Sequence, residues 1–118
     1  MIKRPSVVKK HCFTGHKDAI YALCALNDCE FVSGGADGHI VKWDKNGYAA
    51  GNVVAKVSTS VYSLNYDLSR NHLFIGQNFD GLHVIDLTAK REITSLQMTK
   101  SNIFDIQFDA NFVFVAAG

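Results

Sequence analysis

An all-β fold of consecutive four-stranded antiparallel sheets is what this sequence predicts, and three observations carry the prediction. Short runs rich in Val, Ile, Phe and Tyr alternate with turn residues about every eight to twelve positions. Helical periodicity is absent over any useful length. The chain also repeats itself: Phe31-Val32-Ser33-Gly34-Gly35 falls on Leu73-Phe74-Ile75-Gly76-Gln77 at a shift of 42, and on Phe114-Val115-Ala116-Ala117-Gly118 at a shift of 83.

The same shifts carry Ile20-Tyr21-Ala22-Leu23 onto Val61-Tyr62-Ser63-Leu64 and then onto Ile103-Phe104-Asp105-Ile106, so three copies of one unit are present. A period of about 40 to 45 residues is that of the four-stranded blade of a β-propeller. Strands are expected near 7–13, 19–26, 30–35, 39–44, 52–57, 61–66, 72–77, 82–86, 92–97, 103–108 and 112–117. That is too many for one sandwich sheet but suits consecutive blades. Between them, Asn27-Asp28, Gly35-Ala36-Asp37-Gly38, Asn46-Gly47, Ser69-Arg70-Asn71, Asn78-Phe79-Asp80-Gly81 and Asp109-Ala110-Asn111 supply the turns, since Asp, Asn and Gly tolerate positive φ. The one proline, Pro5, lies outside the repeats.

Composition narrows the partners. Of 118 residues 47% are hydrophobic and 19% charged, enough to bury a core, and the net charge of +1 gives no bulk field to draw in nucleic acid or an anionic membrane. Apolar runs of a few residues fall far short of the roughly 20 that span a bilayer, and MIKRPSVVKK has no apolar signal region. Cys12, Cys24 and Cys29 are an odd set without CxxC spacing, read as reduced packing thiols of a cytoplasmic protein, or of a nuclear one in a eukaryote. Lys3, Arg4, Lys9 and Lys10 form a basic arm, read as a solvated end.

The first copy contains Gly15-His16, Ser33, Asp37 and Trp43-Asp44. This set resembles a complete repeat of the WD40 β-propeller family, and the resemblance extends over nearly the whole chain after about residue 10. It implies WD40-type blades in an incomplete ring: an outer strand at 7–13, repeat one at about 14–57, repeat two at about 58–98, and an incomplete repeat three at about 99–118. In that family a buried hydrogen-bonded tetrad of His, Ser, Asp and Trp holds the blade, which carries over to His16, Ser33, Asp37 and Trp43. Indole only donates, hydroxyl and imidazole do both, and carboxylate accepts, so the four can satisfy one another in series.

Repeat two departs from the pattern. Ile75 stands opposite Ser33, Ile85 opposite Trp43, and no Gly-His precedes Val61. Blade two is therefore expected to be held by apolar packing alone. Asp80-Gly81 comes one residue later than Asp37-Gly38 in the ungapped register, so either the turn is reshaped or the next strand is shorter. In repeat three Ala116 replaces the serine.

The resemblance implies a non-catalytic scaffold that presents propeller loops to protein or peptide partners, with no cofactor. The implied face contains Ala19, Tyr21 and Ala36, then Ser60, Tyr62, Asn78 and Phe79, then Asn102 and Phe104. Tyr21, Tyr62 and Phe104 occupy matching positions, either as an anchor surface or as packing between blades. The remaining blades would come from a longer chain or from other copies. The alternative is a propeller enzyme, or one binding a small ligand or metal, with its site at the central channel. Against it, His11, His16, His39, His72 and His83 show no metal-ligand spacing, and no serine elbow, HExxH or phosphate loop is present. His11, His39, His72 and His83 are read as surface or edge residues.

Overall fold

The computed structural model describes residues 4–47, 50–98 and 100–118; Lys3 of the basic arm lies outside them. Ten strands follow one another: β1 (Ile20–Ala25), β2 (Glu30–Gly35), β3 (His39–Asp44), β4 (Asn52–Lys56), β5 (Val61–Asp67), β6 (His72–Gln77), β7 (Leu82–Asp86), β8 (Arg91–Leu96), β9 (Ile103–Phe108) and β10 (Val113–Ala117). They form an antiparallel sheet β1-β2-β3-β4, a second one β5-β6-β7-β8, and a pair β9-β10. These are two four-stranded blades and the first two strands of another, and the described sheets do not close a ring.

The core lies between the sheets. Strands β1 and β2 pack against β5, and β5 and β6 against β9. Leu26, Val32 and Ile40 of blade one meet Val61, Leu73, Ile75 and Ile85 of blade two, and on the other side Phe74, Leu82 and Val84 meet Ile103 and Ile106. Blade two is thus covered on both faces, which is why Leu73 through Gln77 of β6 are all buried and read as a continuous apolar run, not as an alternation. The outermost strand β8 is exposed throughout. Glycine sets the closeness of approach: a Cβ on Gly34 would lie 2.7 Å from Val61 Cγ1, and one on Gly76 would lie 2.6 Å from Ile103 Cγ2.

Residues 7–13, expected as an outer strand, join no ladder among the described residues. The four places of blade one are filled by β1 to β4, so this segment is not one of its strands. It is anchored instead through Phe13, whose ring meets Phe31 at 5.1 Å and Trp43 at 5.6 Å, both edge-on.

Register is conserved between blades. Glu30 pairs Asp44 and His72 pairs Asp86, each pair at the 42-residue shift. Both alternatives for Asp80-Gly81 hold: Phe79 (φ 61) and Gly81 (φ 84) take positive dihedrals where Gly38 (φ 74) alone does so in the corresponding turn of blade one, and β7, five residues against the six of β3, starts one residue later without slipping.

Burial makes the interblade core the seat of stability. Ile75→Ala, which empties a site with 0% exposure, is expected to lower the unfolding free energy by about 2–5 kcal/mol in urea denaturation. Val53→Ala, at 56% exposure on an outermost strand, is expected to stay within about 0.5 kcal/mol of the parent.

Candidate binding face

Strands β2 and β3 and the segment before β1 bring four polar side chains together beneath the turn that joins β2 to β3. His16 Nδ1 lies 2.8 Å from Asp37 Oδ2 and His16 Nε2 2.6 Å from Ser33 Oγ, while Trp43 Nε1–H donates to the same Ser33 oxygen at 2.8 Å. With Nδ1–H donating to the carboxylate, Nε2 accepts the serine proton, and the chain of donors runs from indole to carboxylate without a gap. Asp37 also accepts the backbone N–H groups of His39 (3.0 Å) and Lys17 (3.3 Å), which fixes the turn. Burial pushes the Asp37 carboxyl up, but the bonds from His16, His39 and Lys17 outweigh it and hold the group below its ordinary value.

A serine, a histidine and an aspartate in line would serve nucleophilic chemistry if the hydroxyl were reachable. Ser33 is 1% exposed and its oxygen already takes the Trp43 proton, so the arrangement holds structure and presents no nucleophile. Among the described residues no group of three His, Cys, Asp or Glu side chains is placed to hold a metal ion.

The expected partner-binding residues gather on the rim carrying the starts of β1, β5 and β9. Ala19 accepts from Ala36 N at 2.8 Å, Ser60 O accepts from Asn78 N at 3.1 Å, and Asn78 bridges Asn102. Each inner strand bulges at the same place. Ile20 pairs Gly35 and Ala22 pairs Gly34, Val61 pairs Gln77 and Ser63 pairs Gly76, while Ile103 pairs Ala117 and Asp105 pairs Ala116. The skipped residues are Tyr21, Tyr62 and Phe104. A bulge leaves its extra residue unpaired and re-aims its side chain. The three rings consequently form one row, Tyr21 edge-on to Tyr62 at 5.3 Å and Tyr62 stacked on Phe104 at 5.7 Å. Tyr21 and Phe104 stay more than half exposed, as does Phe79 beside them.

A profile described as WD domain, G-beta repeat matches residues 7–44, the stretch that holds all four members of the polar network. Over 90% of its length the chain superimposes on the WD40 β-propeller domain of Doa1 with a TM-score of 0.76 at 20% identity. This chain has the WD40 β-propeller fold, with a WD repeat at residues 7–44. Two computationally designed proteins are also similar in structure: Ika4 (TM-score 0.70, 24% identity, 93% of this chain) and Ika8 (TM-score 0.70, 28% identity, 89% of this chain). In sequence it is 36% identical over 57 residues, 48% of the chain, to a ubiquitin fusion degradation protein 3 homolog of Caenorhabditis elegans. It spans 6% of that relative's length, 36% of the Doa1 chain, 67% of the Ika4 chain and 32% of the Ika8 chain.

The second WD40 blade corrects the expectation of apolar packing alone. Gln77, fully buried where blade one has Gly35, donates through Nε2 to Thr59 Oγ1 at 2.9 Å, and Thr59 in turn donates to Asn78 O at 2.8 Å. Ser63 Oγ donates to Ile103 O at 2.8 Å and Asn65 Nδ2 to Ile106 O at 2.7 Å, so polar bonds also stitch this blade to the next strand pair. A glutamine ending the apolar run Leu73-Phe74-Ile75-Gly76 was the available signal. His83 is not a surface residue either: its side chain is 14% exposed, bonded to Glu92 and 3.6 Å from Asp80. Of the cysteines only Cys24 packs against the core, where burial raises its thiol, while Cys12 and Cys29 are exposed.

Trp43→Phe keeps the bulk but strands the Ser33 oxygen, and a loss of about 1–3 kcal/mol in chemical denaturation is expected. Asp37 makes the network acid-sensitive. Its folded pKa is depressed, so the stabilisation is present above the unfolded value of about 3.9 and is lost as pH falls through the folded one. Asp37→Asn should be less stable than the parent at pH 7, and the gap between their melting temperatures should narrow toward pH 3.

Proposed function

We propose that this WD40 chain is a non-catalytic interaction scaffold, and that the bulged row of Tyr21, Tyr62 and Phe104 is the anchor of its partner-binding face. The observation that carries this reading is the repetition of the bulge: three successive blades each expel one aromatic ring at the same level, and the rings touch. Large rings with few rotatable bonds lose little entropy on contact, which suits them to peptide anchoring. Packing between blades is served by other residues, namely Val61, Ile75 and Ile103.

Two further features favour a polypeptide as the partner. Asn78 and Asn102 each hold a side-chain oxygen that is buried without a hydrogen-bond donor, on the loops beside the row. Backbone N–H groups of a bound segment would supply such donors. Phe79, half exposed at φ 61, holds an unfavourable backbone conformation for an aromatic residue, of the kind that persists where surroundings enforce it. Exposed Ile20 and Leu23 on the first sheet and Phe112 and Phe114 on the last strand pair suit packing by further blades, from a longer chain or from other copies.

Peptides selected from a displayed random library on the intact chain should lose affinity about tenfold or more, some 1.4 kcal/mol, with Tyr62→Ala or Phe104→Ala, measured by fluorescence anisotropy. Selected peptides that bind both variants as well as the parent would defeat the assignment.

A further inference from the structure

A cleft of about 390 Å³ separates β4 of the first blade from β7 and β8 of the second. Both walls belong to neighbouring complete blades. Val57 and Ile85 supply apolar lining. Two polar atoms there lack partners: Oε1 of Gln77, a residue with 0% exposure, and Nε2 of His83. Of these, the Gln77 oxygen is an acceptor, whereas the His83 nitrogen faces Asp80 Oδ2 at 3.6 Å while Nδ1 of the same ring bonds the Glu92 carboxylate. A buried acceptor left empty costs about 1–3 kcal/mol, and a ligand that brings N–H donors recovers it.

Charge specifies the rest of the ligand. The two carboxylates in the cleft are already engaged, Asp80 by Ser58 Oγ at 2.5 Å and Glu92 by His83. Lys56, Lys90 and Arg91 also line it, all exposed, and none forms an ion pair among the described residues. Lys90 is held at φ 55 in the turn that Asp86 caps by accepting the N–H groups of Thr88 and Ala89. Strand β4 is the last of its sheet, so among the described residues one edge of its backbone is unpaired as well.

We infer that this interblade cleft is a second docking site, and that its occupant is an extended peptide bearing apolar side chains between acidic ones. A backbone N–H group meets Gln77, an apolar side chain sits on Val57 and Ile85, and carboxylates meet Lys56, Lys90 and Arg91. Such strand-like recognition draws affinity from the main chain and specificity from alternate side chains.

The test is fluorescence anisotropy on the whole chain, with a fluorescein-labelled peptide of alternating glutamate and leucine. Saturable binding is expected, weakened about tenfold or more by the double change Lys56→Glu and Arg91→Glu, whose exposed positions leave the thermal unfolding curve in place. Replacing the glutamates of the peptide by lysine, or its leucines by serine, should weaken it as much. Tyr62→Ala should leave it within about twofold, so this site and the aromatic row stand or fall separately. Absence of saturable binding, equal binding of either altered peptide, survival of binding in the double variant, or its loss with Tyr62→Ala would each overturn the inference.

Discussion

Everything in this chain depends on one sheet burying its face against the next. A four-stranded blade has two apolar faces and too little volume to cover either by itself, so its stability is shared with neighbours. The consequence is visible in β6, buried from Leu73 to Gln77 because blades stand on both sides of it, against β10, whose Val113, Phe114, Ala116 and Ala117 stay exposed. Glycine at Gly34 and Gly76 is the sequence's concession to this constraint, since any side chain there would force adjacent inner strands apart.

Polar groups answer a different need. Apolar packing is non-directional and tolerates sliding, whereas a saturated hydrogen-bond chain admits one geometry. Blade one fixes its turn through indole, hydroxyl, imidazole and carboxylate. Blade two does so through the amide of Gln77 reaching back to Thr59, and through Thr59 reaching on to Asn78. The chemistry differs while the ladder register stays the same, so the register belongs to the repeat and the lock to the individual blade.

The fold was legible because its signal is periodic. Ten of the expected strands form within a residue or two of where apolar runs and Asp, Asn and Gly turns mark them. What escaped was whatever depends on partners distant in sequence. The segment at 7–13 has a strand-like composition but joins no ladder among the described residues. Lone polar residues such as Gln77 and His83 acquire meaning only when Thr59, Asp80 and Glu92 are folded against them. Likewise Tyr21, Tyr62 and Phe104 could be aligned by the repeat, but the bulges that turn them outward are a property of the ladder, and no composition marks them.

Those bulges explain how a rigid repeat acquires a variable surface. In a regular strand each residue is committed to one face or the other, and both faces of a blade are claimed by neighbours. Inserting one unpaired residue at the start of each inner strand frees a side chain from that commitment without shifting the register beyond it, as the unbroken pairing from Ala22 to Ala25 and from Ser63 to Asp67 illustrates. The freed positions recur once per blade and lie close enough for their rings to touch. In the proposed binding role, changing them would alter what the rim recognises while leaving Val61, Ile75 and Ile103 to hold the sheets together. The proposed recognition and the observed cohesion thus fall to different residues of neighbouring strands, so that either can vary while the other is kept.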